Sequence, residues 1–223
     1  MTDPDKTRFI KAYFESMQVR FSSLVELNAS VLDGHSFRDE AFILCLVYID
    51  GLASSYYRTG PGNVGKNFCK ALRKLSGNPL FGKLYAPWLL DSKNDKYKHW
   101  KQAKTLVQQL VTTRAGKLLD AVEIAQAIRH HAVMPKGDKK SLVGELWHYS
   151  VAAICYEVMR NAAVHGLGAS PLCFSKTVHD GHEGFELSFS VLHEALQRIG
   201  EHVAKTSISK GEWFGRKGFL KSR

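Results

Sequence analysis

Ala41-Phe42-Ile43-Leu44-Cys45-Leu46-Val47-Tyr48-Ile49 is apolar on almost every side of a helix. A helix with no polar face belongs at the centre of a bundle. Ser36 precedes it as an N-cap, and Asp39 and Glu40 occupy the first turn, where the helix dipole favours negative charge. The helix extends to about Arg58, and Gly60-Pro61-Gly62 stops it. Asp50 follows the apolar run directly. Burial of that carboxylate demands a partner, since an unpaired buried charge is costly.

Outward from this helix, most of the chain carries helical periodicity. On the N-terminal side, Phe9, Ile10, Tyr13, Phe14, Met17, Phe21, Leu24, Val25 and Leu27 recur at helical intervals from about Lys6 to Leu32, and Asp33-Gly34 ends that helix. The more basic middle predicts short helices over Val64–Leu75, Lys96–Val111 and Asp120–His130, with a loop at Pro135-Lys136-Gly137-Asp138. Ser141 caps a long helix that reaches His165, where Gly166-Leu167-Gly168 and then Pro171 stop it. Alternating runs Leu172–Val178 and Phe185–Val191 flank a turn-rich segment and read as a β-hairpin. Val191, Leu192, Ala195, Leu196, Ile199 and Val203 mark a final amphipathic helix. The expected fold is therefore mainly α, an up-and-down helical bundle with extra short helices and a C-terminal β-hairpin followed by a helix. No linker or repeat divides the chain, so residues 1–223 read as a single domain. Its helical core covers about 6–166, the hairpin and final helix 172–206, and a basic tail 211–223.

Composition narrows the class. At 223 residues the chain is long enough for a substantial core, and 23% charged residues is too ordinary for wholesale disorder. No apolar stretch has membrane-spanning length and the N-terminus is acidic, so the expectation is a soluble, cytoplasmic protein. The 31 Lys and Arg exceed the 21 Asp and Glu by 10, an excess that favours encounter with polyanions such as nucleic acid. Cys45, Cys69, Cys155 and Cys173 form no CxxC pair, which argues against a zinc site.

The chemistry concentrates in Tyr156-Glu157-Val158-Met159-Arg160-Asn161-Ala162-Ala163-Val164-His165-Gly166. On an α-helix Arg160 and His165 stand about 140° and about 7.5 Å apart, within reach of an arginine that turns back. Asn161 lies four residues before His165 on the same face. A histidine titrates near neutrality and can take or give a proton at a ribose hydroxyl or a leaving oxygen. An arginine presents a planar fork of donors to a phosphate. Asn161 can orient either group, and no metal or cofactor is called for. Read bare, the same pair is a surface arginine and a helix-terminal histidine.

Arg160-Asn161, three residues and His165, closing a long helix in a helical chain, resemble the R-x4–6-H motif of the HEPN superfamily of ribonucleases. Val47-Tyr48-Ile49-Asp50-Gly51-Leu52-Ala53 is similar to an early bundle helix of several branches, and the chain looks closest to plasmid- or defence-associated members. The likeness covers roughly Phe37–Arg58 and Ser141–His165. It implies a bundle that forms a homodimer with a composite active site. It also implies metal-independent RNA cleavage to 2′,3′-cyclic phosphate and 5′-hydroxyl ends, and a toxin–antitoxin or antiviral setting with an antitoxin or regulatory protein as partner. Leu167 stands where some branches place a tyrosine.

Secondary features carry two readings each. Asp50 either orients Arg160 or His165 or makes a structural helix-to-helix bond, and Glu157 lies one turn from Arg160 and can pair with it. Lys66, Lys70, Arg73 and Lys74 surround Phe68, and Lys96, Lys98, Lys101 and Lys104 interleave with Tyr97 and Trp100. Both sets suit an RNA backbone with stacked bases, or a solvated face above core aromatics. His130-His131 and the turn residues His179 and His182 read as solvated rather than metal-binding. Two other functions compete: a HEPN-like module that binds RNA or protein without catalysis, and a GHKL-type ATP-binding protein. The latter is suggested by Glu157, Asn161 and His165, but Asp180-Gly181-His182-Glu183-Gly184 is a poor glycine box.

Overall fold

Ile10, Phe14, Met17, Phe21 and Leu24 step by four and three along helix α1 (Pro4–Ala29) and form its buried stripe. Phe9, Tyr13 and Val25, which share the helical periodicity, stand outside this narrow seam and are exposed. The computed structural model describes residues 4–57, 62–91, 100–114, 117–131, 133–160, 173–174 and 185–212. These form two compact units, one made of residues 1–78 and 155–223 and the other of residues 79–154.

In the first unit α1 packs on α2 (Arg38–Tyr57) and on α9 (Phe189–Lys210), and α2 also meets α3 (Val64–Leu75). The apolar helix packs on three others, with Phe42, Cys45, Leu46 and Ile49 fully buried. It is not covered all round as expected, since Leu44 and Val47 are exposed. Helix α1 ends at Ala29, short of the expected Leu32, and Asp33-Gly34 forms a turn of its own. Both residues have positive φ (51° and 80°), the geometry of a tight hairpin turn, and they join strands β1 (Val31–Leu32) and β2 (His35–Ser36). Ser36 is consequently in a strand and α2 begins at Arg38, although the Ser36 hydroxyl still accepts from the Arg38 amide. Gly200 brings α9 close to α1, since a Cβ there would lie 2.8 Å from Phe21 Cε2. His193, buried on α9, reaches the Phe21 carbonyl through Nε2 at 2.7 Å.

The second unit is built around Leu84, Leu89, Trp100, Ile124, Ile128, Leu142 and Tyr149. It contains a 3₁₀ turn (Pro79–Gly82), then α4 (Ala86–Asp91), α5 (Trp100–Arg114), α6 (Ala121–His130) and α7 (Lys136–Glu145). Strand β3 (Leu84–Tyr85) pairs antiparallel with β4 (Leu118–Leu119). Asp120 caps α6, its Oδ1 accepting from the amides of Val122 (2.7 Å) and Glu123 (3.3 Å).

The long helix expected from Ser141 to His165 is not continuous. Helix α7 starts at Lys136, upstream of Ser141, and a 3₁₀ turn (Leu146–Tyr149) follows it. Ser150 then adopts an extended conformation, bridges to Leu84, and lets the Val151 amide donate to the Lys83 carbonyl at 2.9 Å. The chain restarts as α8 (Val151–Ile154), with Ser150 as its cap: the serine hydroxyl accepts from the Ala153 amide at 3.3 Å. It continues into a π-turn, Cys155–Arg160. The angular spacing assumed for an α-helix therefore does not apply up to Arg160.

Beyond that point, β5 (Cys173–Phe174) pairs antiparallel with β6 (Phe185–Glu186). The expected second strand over Phe185–Val191 is cut short because α9 begins at Phe189. The connecting turn, with His179 and His182, lies outside the described residues, as does the basic tail from 213 onward. Helix α9 closes at Gly211 in the left-handed region (φ 57°), where the Gly211 and Glu212 amides satisfy the Ile208 and Ser207 carbonyls. No described helix is long and apolar enough to cross a membrane.

Candidate functional site

Asp50 projects from α2 toward the π-turn, where Arg160 is the final residue. Arg160 Nη2 donates to Asp50 Oδ2 at 3.0 Å, with the aspartate side chain 13% and the arginine 21% exposed. The other carboxylate oxygen, Oδ1, is buried without a hydrogen-bond partner among the described residues. Burial raises the Asp50 pKa above the usual carboxylate value. The Arg160 charge and hydrogen bond pull it down without cancelling that rise, so desolvation is the larger effect.

Tyr156, one turn before Arg160, completes the cluster. Its ring lies 5.4 Å from that of Phe68 on α3, and the Arg160 guanidinium carbon stands 5.5 Å from its centroid, within cation–π range. Burial raises the Tyr156 pKa, and the nearby Asp50 carboxylate adds to the rise. Gly65 on α3 faces the ring so closely that a Cβ there would fall 2.8 Å from Cδ1 and 2.9 Å from Cζ. Only glycine leaves room for this approach of α3 to the π-turn. Such i→i+5 turns occur mostly as single bulges and often at functional sites.

Asp50 and Arg160, chosen from the sequence, are thus brought together. Glu157 is exposed on the same π-turn. Asn161 and His165 lie outside the described residues. Lys66, Lys70, Arg73 and Lys74 are all exposed on α3, which carries no acidic residue. Their expected aromatic companion Phe68 is fully buried, so it belongs to the core and not to a stacking surface. Tyr57 takes that place, with Lys70 Nζ 4.1 Å above its ring centroid. In the second unit Lys101 is exposed and Lys104 partly buried, while Trp100 is buried against Tyr149. Lys96, Tyr97 and Lys98 lie outside the described residues.

Tyr156, Gly65 and Tyr57 had no role assigned from sequence. The spacing of four between Tyr156 and Arg160 is visible there, but the closeness of Gly65 depends on a neighbouring helix. Burial pushes the Cys45 and Cys69 thiols up to about 12 and raises that of Cys155, so these act as small core hydrophobes and not as nucleophiles. His130 hydrogen-bonds the Gln126 carbonyl at the end of α6, and no metal-binding group of three His, Cys, Asp or Glu occurs among the described residues. Comparison of the chain with protein-family models, with curated proteins and with solved structures finds no match.

Proposed function

We propose that the protein is a metal-independent endoribonuclease of HEPN type, with Arg160 and His165 as its catalytic residues, Asn161 assisting and Asp50 positioning the arginine. The observation that supports it most is the anchorage of Arg160 by Asp50 at 3.0 Å, five residues before His165. A guanidinium whose orientation is fixed by a carboxylate needs little reorganisation on meeting a phosphate, which is the condition for strong electrostatic stabilisation of a transition state. In the reaction a base removes the proton of the ribose 2′-hydroxyl and O2′ attacks phosphorus. The bond from phosphorus to O5′ breaks and the departing oxygen is protonated, leaving a 2′,3′-cyclic phosphate and a 5′-hydroxyl. His165 serves one of the two proton transfers and Arg160 carries the charge on the phosphoryl oxygens. A homodimer would supply the second half of a composite site, and a toxin–antitoxin or anti-phage setting with a restraining protein partner suits this chemistry.

One observation favours a second reading. The Asp50–Arg160 bond joins two helical segments, as a purely structural pair would, while the exposed cations of α3 are sufficient for a module that binds RNA without cutting it. Incubation of the full-length protein with total RNA and a chelator separates the two. The nuclease yields cyclic-phosphate ends, and Arg160→Ala and His165→Ala each lower the rate about a hundredfold or more with the fold intact. Absence of cleavage, or cleavage that survives both substitutions, rejects the enzyme.

A further inference from the structure

A row of side chains crosses three helices of the first unit. Lys70 of α3 stands over Tyr57, Tyr57 meets Tyr56 edge to face with centroids 5.0 Å apart, and Tyr56 meets the His202 ring of α9 at 5.4 Å. Tyr56 Oη and His202 Nε2 also share a hydrogen bond at 3.0 Å, which fixes both rings. Tyr56 and Tyr57 are half-buried and His202 is exposed, so the row lies at the surface and not in the core. Lys66, Arg73 and Lys74 share the open face of α3 with Lys70. Among the described residues none of these four cations forms an ion pair with a carboxylate.

Rigid aromatic rings beside uncompensated cations are the pattern of a surface for unpaired nucleotides: rings accept base faces and ammonium groups accept phosphates. An acidic protein would need the charge but not the rings. A duplex conceals its base faces and gains nothing from them. Position agrees with this. Asp50 and Tyr57 are seven residues apart on α2, about 10 Å along the axis and within about 20° of the same face. A strand whose phosphate lies at Arg160 would therefore pass toward Tyr57. We infer that Tyr57, backed by Tyr56 and His202, is a base-stacking platform for single-stranded RNA, with Lys70 and its neighbours on α3 gripping the adjoining phosphates. When a base covers Tyr57, Lys70 exchanges its contact with the ring for one with the phosphate.

This inference rests on RNA as the ligand in the proposed function but not on cleavage, and its test keeps the two apart. The probe is a short fluorescein-labelled 2′-O-methyl RNA, which cannot be cut through its 2′-oxygen, titrated with the full-length protein. Tyr57→Ala is expected to weaken single-strand binding on the order of tenfold and Tyr57→Phe to restore it. Lys70→Gln is expected to lower the dependence of log affinity on log salt by about 0.7. Unchanged affinity in Tyr57→Ala overturns the platform, and so does an equal loss for duplex RNA or preferential binding to anionic phospholipid vesicles. A loss of affinity that tracks a fall in melting temperature and persists in Tyr57→Phe assigns the row to structure and overturns it too. Should the platform bind single strands while unmodified RNA stays intact, the nuclease fails and the platform stands.

Discussion

Arg160 and Asp50, 110 positions apart in the chain, share a hydrogen-bonded ion pair of 3.0 Å between α2 and the π-turn. The pair answers the requirement for a counter-charge that Asp50 creates where it follows the apolar run inside α2. It also fixes one edge of the guanidinium at the point where the chain enters the segment containing His165. The contact joins two helical segments, and substitutions that preserve size while changing charge test whether it also positions Arg160 for the proposed chemistry.

Asp50→Ala removes the acceptor and leaves a partly buried guanidinium without this counter-charge. We expect a loss of about 2 kcal/mol of stability, in the range of hydrogen bonds to charged groups, measured by urea denaturation. Asp50→Asn keeps the shape and is expected to lose less. If Asp50 positions Arg160, both variants lower RNA cleavage more than their stability loss accounts for.

The same carboxylate predicts a pH effect. Its folded-state pKa is raised, so between the ordinary carboxylate value and the folded value the native state binds more protons than the unfolded chain. Stability contributed by this group is complete below the unfolded pKa and is lost as pH rises through the folded one. The stability of the wild type relative to Asp50→Asn should therefore fall with rising pH, starting from about pH 4, and level off above the folded pKa. A relative stability that climbs over that interval contradicts the assignment.

Gly65→Ala drives a methyl group into the Tyr156 ring. Overpacking of this kind costs about 1–3 kcal/mol, and the ring must shift relative to Arg160. Calorimetry is expected to show the lower melting temperature. Tyr156→Leu in the Gly65→Ala background should recover part of the stability, which would trace the loss to this contact.

Ser150→Ala removes the hydroxyl that accepts from the Ala153 amide and donates to the Trp147 carbonyl at 2.6 Å. Loss of such a cap costs about 1 kcal/mol. Ser150→Asp, which preserves the acceptor, serves as the comparison in chemical denaturation, and a neutral Ser150→Ala would show that the cap is dispensable.

Two helical glycines should respond in opposite directions. At Gly51 on α2 a Cβ meets nothing within 4 Å, so Gly51→Ala should stabilise by roughly 0.5–1 kcal/mol through helix propensity. At Gly200 the new Cβ collides with Phe21, and we expect a net loss of about 1 kcal/mol despite the same gain. Equilibrium denaturation of the two variants side by side reads this contrast directly.

Local chemistry alone determined a good part of this protein. The bounds of α3, and those of α6 to within one residue, follow from periodicity, because these depend on neighbours within a turn or two of the chain. Which residues of the Ala41–Ile49 run are buried did not, since Leu44 and Val47 are exposed. The need of Asp50 for a partner was equally legible, since a carboxylate in an apolar frame states its own requirement. Which partner it takes was not: a contact across 110 positions leaves no periodic trace. The break at Ser150 was hidden for the same reason, because Ser150 turns extended to bridge to Leu84 while the Val151 amide, at the start of α8, donates to the Lys83 carbonyl. The π-turn and the closeness of Gly65 to Tyr156 were likewise decided by tertiary packing, as was the substitution of Tyr57 for Phe68 beside the α3 cations. Helical periodicity records which residues share a face, whereas the neighbour that covers that face, and the turn that the backbone adopts to meet it, depend on free energy shared between distant segments.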